Sequence, residues 1–154
     1  MTRTLSINRA FSAPVAMDAD SPLDDLVFLA RHDDDPFARY EALQKLVVRH
    51  LVKDVNGELE ERARDVERDA ISQAFEAFLP DDRLDDLMRG ELMILPAQGY
   101  LAEQIERCDP LAIHAAREGL MRVPGNGALE DARLRAQVAR GELDDAEGAL
   151  RARL

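Results

Sequence analysis

Apolar side chains recur every three or four residues through most of this sequence, and one stretch near its start departs from that rule. Phe37, Tyr40, Leu43, Val47 and Leu51, with Ala38 and Ala42 beside them, trace the buried face of a helix that should end near Asn56-Gly57. Leu59, Ala63, Val66, Ala70, Ala74, Ala77 and Phe78 keep the same period in a second long helix. Its solvent face is assigned to Glu58, Glu60, Glu61, Arg64, Asp65, Glu67 and Arg68, and Pro80 stops it. Residues 84–95, 96–105 and 111–123 read as three shorter helices, followed by a Pro-Gly-Asn-Gly break at 124–127. Helical spacing returns after it, with Leu129, Leu134, Val138, Leu143 and Leu150. The exception is residues 5–15, where Leu5, Ile7, Phe11 and Val15 lie among polar residues and Pro14 would break a helix. That stretch reads as one extended strand.

Three helix starts share one device, a capping residue followed by proline at the first helical position: Ser21-Pro22, Asp35-Pro36 and Asp109-Pro110. Each is expected to offer a side-chain oxygen to exposed N–H groups and a ring whose φ is already helical. Asp24, Asp25, Asp33 and Asp34 crowd two of these starts, where negative charge opposes the positive end of the helix dipole. The expected fold is all-α, an irregular helical array of the armadillo or HEAT type with about seven or eight helices, preceded by the one strand. No fixed repeat period runs through it. A lone strand has nothing to pair its backbone groups, so its sheet is expected in sequence upstream of it.

Composition narrows the class of partner. The chain has 154 residues, 46% apolar and 33% charged, with 5% aromatics and no Trp, a balance suited to one soluble helical domain. Its 31 acidic and 20 basic side chains give a formal charge of −11, which repels phosphate backbones and anionic lipid, so neither nucleic acid nor a membrane is an expected partner. Cys108 stands alone, and no signal peptide or long apolar run is evident, which makes a cytoplasmic location the default. Cys108 is expected as a small buried side chain beside a helix start.

No constellation for chemistry emerges. The His-Glu-x-x-His pattern of zinc peptidases is absent, and His32, His50 and His114 are expected as solvated or capping residues. Asp33, Asp34 and Asp35 lack the spacing of a calcium loop and read as a capped helix start, while Asp81, Asp82, Asp85 and Asp86 read as a solvated acidic face. There is no nucleophile elbow and no phosphate-binding loop. No catalytic, cofactor-binding or metal-binding residue is assigned in this chain.

Phe11, Ser12, Ala13, Pro14 and Val15, followed by the run from Arg31 through Asp35, Pro36, Phe37 and Tyr40 to Ala42, resemble a junction in the bacterial aminopeptidase N family. There a β-sandwich domain hands over to an all-helical C-terminal domain. Three further stretches, at 69–75, 92–96 and 108–118, resemble the same family in the same order, so the likeness covers roughly residues 5–123. It implies that residues 1–17 end the β-sandwich domain, with Phe11 to Val15 an interdomain contact, and that residues 18–154 are part of the helical domain. It also implies a parent that is a zinc-dependent exopeptidase removing N-terminal amino acids from peptides. The zinc and the glutamates that grip the substrate amine would lie in a separate catalytic domain, which the helical domain packs beside and covers. None of those motifs maps onto a position here, and residues after Pro124 find no counterpart.

The leading expectation is therefore a non-catalytic segment whose partner is the rest of an aminopeptidase chain, meeting peptide substrate only through that parent. The alternative is an independent helical scaffold that binds a protein partner, its acidic surface selecting basic ones.

Overall fold

In a computed structural model, residues 4, 6, 21–82, 84, 90, 92–107 and 109–121 are described. They contain five helices: α1 (Leu23–His32), α2 (Pro36–Val55), α3 (Glu61–Glu76), α4 (Gln98–Glu103) and α5 (Pro110–Met121). The strand expected over 5–15, the interdomain residues Phe11, Ser12, Ala13, Pro14 and Val15, the lone Cys108 and the helix expected after Gly127 all lie outside the described residues. Of the short helix expected over 84–95, Gly90 and Leu92 are helical and most of the remainder is likewise outside them.

Two of the three proline starts form as the sequence dictates. Asp35 Oδ1 accepts from the N–H of Phe37 at 2.9 Å with Pro36 opening α2, while the Asp33 carboxylate accepts from the N–H of Asp35. Asp109 Oδ1 accepts from the N–H groups of Leu111 and Ala112 at the head of α5. Ser21 is the correction. Pro22 stays extended at ψ 149° and occupies the cap position itself, so the first turn begins one residue later and no side chain caps it. Asp24 and Asp25 in the first turn of α1, and Arg31 and His32 in its last, complement the helix dipole at both ends. Gly57, at φ 71°, ends α2 in the left-handed conformation that glycine adopts without penalty.

α2 is the centre of the arrangement and packs against each of the other four described helices. α1 and α3 also touch each other, and α4 packs on α5. Side-chain bonds fix the directions: Asp54, His50 and Arg39 of α2 meet Arg64, Glu67 and Ala77 in turn, so α3 runs antiparallel to α2. Arg49 and Arg39 meet Ser21 and Ala30, so α1 does the same. Leu43, Leu46, Val47 and Leu51 are wholly buried along α2, in one core with Ile71, Ala74, Phe75, Phe78, Leu101, Ile113 and Leu120. Each such side chain contributes roughly 1.5–3 kcal/mol by leaving water.

α3 is rotated from the face its apolar residues suggest. Ala63 and Val66 are exposed, whereas Glu67 is buried and Arg64 and Arg68 are half-buried. The first two turns of α3 face the last turns of α2, where His50 and Asp54 stand, so complementary polar groups pair there. Only from Ile71 onward does the contact become apolar.

Candidate functional site

Three places concentrate polar chemistry, and the first is the joint where α1 and α3 end. Arg39, buried on α2, donates through Nε to the Ala30 carbonyl of α1 and through Nη2 to the Ala77 carbonyl at the end of α3. Its Nη1 pairs with Asp81 at 2.7 Å, and its guanidinium lies 4.2 Å from the centre of the Phe78 ring. One cation thus serves the carbonyl ends of two helices, where the dipoles favour positive charge. Asp81, expected on a solvated face, is instead this cation's buried partner; Asp82 is exposed, and Asp85 and Asp86 lie outside the described residues.

The second place lies at the opposite end of the α2–α3 contact. His50 is wholly buried, contrary to its expected solvation, with Nδ1 2.9 Å from Glu67 Oε2. Burial pushes its pKa below the ordinary histidine value, and the hydrogen bond and charge of Glu67 only partly oppose this. The neutral ring donates from Nδ1 to the carboxylate, leaving Nε2 without a hydrogen-bond partner among the described residues. Asp54, one turn on, accepts from Arg64 Nε and Arg68 Nη2. A histidine beside a carboxylate has the parts of an acid–base pair, but proton transfer to a substrate needs hydrogen-bond reach to it. Packed between two helices, His50 holds them together.

The other two histidines are exposed: His32 at the end of α1 stacks beside Phe28 with ring centres 5.2 Å apart, and His114 on α5 lies 3.4 Å from the Gln98 amide. The three stand on three helices, each with a different neighbour, and among the described residues no three His, Cys, Asp or Glu side chains converge as ligands. The described residues therefore do not fit a zinc ion.

The third place is a groove of about 790 Å3 along α2. Its lining includes Lys45, Val48, Arg49, Val52 and Lys53 of α2, Ser21 just before α1 and Leu26 in it, and Pro96, Ala97 and Tyr100 beside and on α4. Separately, Phe28, Val66, Ile94, Tyr100 and Leu111 are exposed large apolar side chains. Among the described residues no helix is long and apolar enough to cross a membrane.

With this arrangement in view, comparison with known proteins is decisive for the family. Residues 23–147 match the domain of unknown function described as DUF3458_C ARM repeats. The chain belongs to that family. The DUF3458_C match runs past the break at 124–127, so the family continues where the sequence motifs no longer showed a likeness. The chain is also 31% identical over 112 residues to aminopeptidase N of Escherichia coli, and 35% identical over 116 residues to aminopeptidase N of Caulobacter vibrioides. These stretches cover 73% and 75% of this chain and 13% of each relative, so the chain spans only a small part of the relatives it matches. The resemblance read at residues 31–42 and onward is borne out, and the ARM-repeat description agrees with the helical array.

Arg39 and His50 are the buried polar side chains that the sequence reading did not place. Both continue the buried stripe of Leu43 and Leu46, at 39, 43, 46 and 50, and that phase was the available signal.

Proposed function

We propose that this chain acts as a non-catalytic helical C-terminal segment of a zinc metallo-aminopeptidase, an enzyme that removes N-terminal amino acids from peptides. The observation that carries the reading is the likeness to two aminopeptidases N along about three quarters of this chain and 13% of theirs. In this reading residues 1–17 end a β-sandwich domain, Phe11 to Val15 contact the next domain, and residues 18–154 pack beside the catalytic domain and cover its cleft. Zinc and the peptide substrate are held by the catalytic domain, and the enzyme works in the cytoplasm. The exposed Phe28, Val66, Ile94 and Leu111 support it, being the apolar side chains that a neighbouring domain would cover.

The test is the mass of the endogenous polypeptide, detected with an antibody to this segment, together with turnover of an aminoacyl anilide. The expected result is a chain several times heavier than 17.2 kDa that hydrolyses the anilide and is silenced by a zinc chelator, while the 154-residue chain alone releases nothing above background. An endogenous band at the mass of this chain, or chelator-sensitive turnover by this chain alone, would overturn the proposal.

A further inference from the structure

We infer that the groove along α2 seats an acidic amphipathic helix of the larger polypeptide, from outside residues 1–154; this rests on the segment reading above. Lys45, Arg49 and Lys53 line the groove four residues apart, so their Cα atoms repeat about every 6 Å along α2. Glu41 is the one carboxylate among the described lining residues, so these carry a surplus of two positive charges on a chain whose formal charge is −11. Arg49 Nη1 is held by the Ser21 carbonyl at 3.0 Å, and neither Lys45 nor Lys53 has an ion-pair partner among the described residues.

The chemistry of the occupant follows from charge, spacing and size. A long polyanion such as nucleic acid would meet the negative field of the whole chain, so the matching charge must be local and few in number. Carboxylates at i, i+4 and i+8 of a helix repeat at the same 6 Å as the three cations. Apolar residues on the adjoining stripe of that helix would meet Val48, Val52, Pro96 and the Tyr100 ring. At about 790 Å3 the groove falls within the roughly 300–1,000 Å3 range of ligand-sized clefts, enough for one face of a short helix rather than a domain.

The experiment places a photo-crosslinking residue in the groove of the full-length polypeptide purified from its source cell. Tyr100 is half-exposed, so Tyr100→p-benzoylphenylalanine keeps an aromatic ring there. Irradiation and peptide mapping should find an adduct within the same polypeptide, on a helix bearing Asp or Glu at i and i+4. Reversing the wall with K45E/K53E should lower the adduct yield about fivefold or more, and the gentler K45Q/K53Q should lower it less. An unchanged yield in both variants overturns the inference. So does an adduct on a basic or uncharged segment, on residues 1–20 or 122–154, or on a separate protein. Absence of any adduct in a polypeptide of aminopeptidase size defeats the groove assignment and leaves the segment reading standing. A source cell holding only a 17.2 kDa polypeptide defeats both.

Discussion

Arg39 illustrates how a single side chain can decide whether three helices stay in register. Its guanidinium serves the Ala30 and Ala77 carbonyls and the Asp81 carboxylate in a place from which water is nearly excluded. Arg39→Leu removes the cation and with it the hydrogen bonds to both helix-end carbonyls and the Asp81 ion pair, which should cost about 1–3 kcal/mol in urea unfolding. A loss below about 1 kcal/mol in that variant would mean that the joint is held by packing alone. His50 makes a different prediction, one about pH. Its folded-state pKa is depressed from 6.5, so its contribution is fully present above pH 6.5 and is lost as the pH falls from there through the folded value. Protonation would place a second N–H, at Nε2, where the described residues offer it no acceptor. Unfolding free energy measured between pH 8 and pH 5 should therefore decline across that window, and His50→Gln should flatten the decline. An identical slope in the variant would refute the assignment.

At the scale of elements, the ends of helices were easier to read than their faces. Gly57, with φ at 71° and no atom within 4 Å of where a Cβ would stand, is limited by its backbone alone. Gly57→Ala should cost about 1–2 kcal/mol in thermal unfolding, and Gly57→Asn less, since asparagine visits the left-handed region more readily. Equal stability in the alanine variant would show that the α2–α3 turn does not need that conformation. Asn56-Gly57, Asp35-Pro36 and Asp109-Pro110 were legible because a cap is local chemistry, set by residues two or three apart. The face of α3 was not, because its first half contains too little apolar material to define one. Counting Val66 inward and Glu67 outward follows hydropathy, yet Glu67 and Arg64 are drawn in by His50 and Asp54, which are distant in sequence. Ser21 misled for a local reason, since Pro22 itself took the cap position. The groove was not legible at all, because it is made where α2 meets segments up to about sixty residues away.

At the scale of the molecule, a formal charge of −11 contrasts with the α2 wall, where the described lining holds three cations and one carboxylate. Large apolar side chains stand exposed on α1, α3, α4 and α5. The position of α2, flanked by all four other described helices, also governs how solvent deuterium enters the protein. Amides near Leu43, Leu46 and Leu51 cannot open without parting the contacts of every neighbour, so their exchange should require the free energy of complete unfolding. The six residues of α4, mostly exposed and held by Leu101, should label by local opening within the first time points. Followed by mass spectrometry, labelling that reached α2 before α4 would mean that the middle helix is not the last part of this chain to let go.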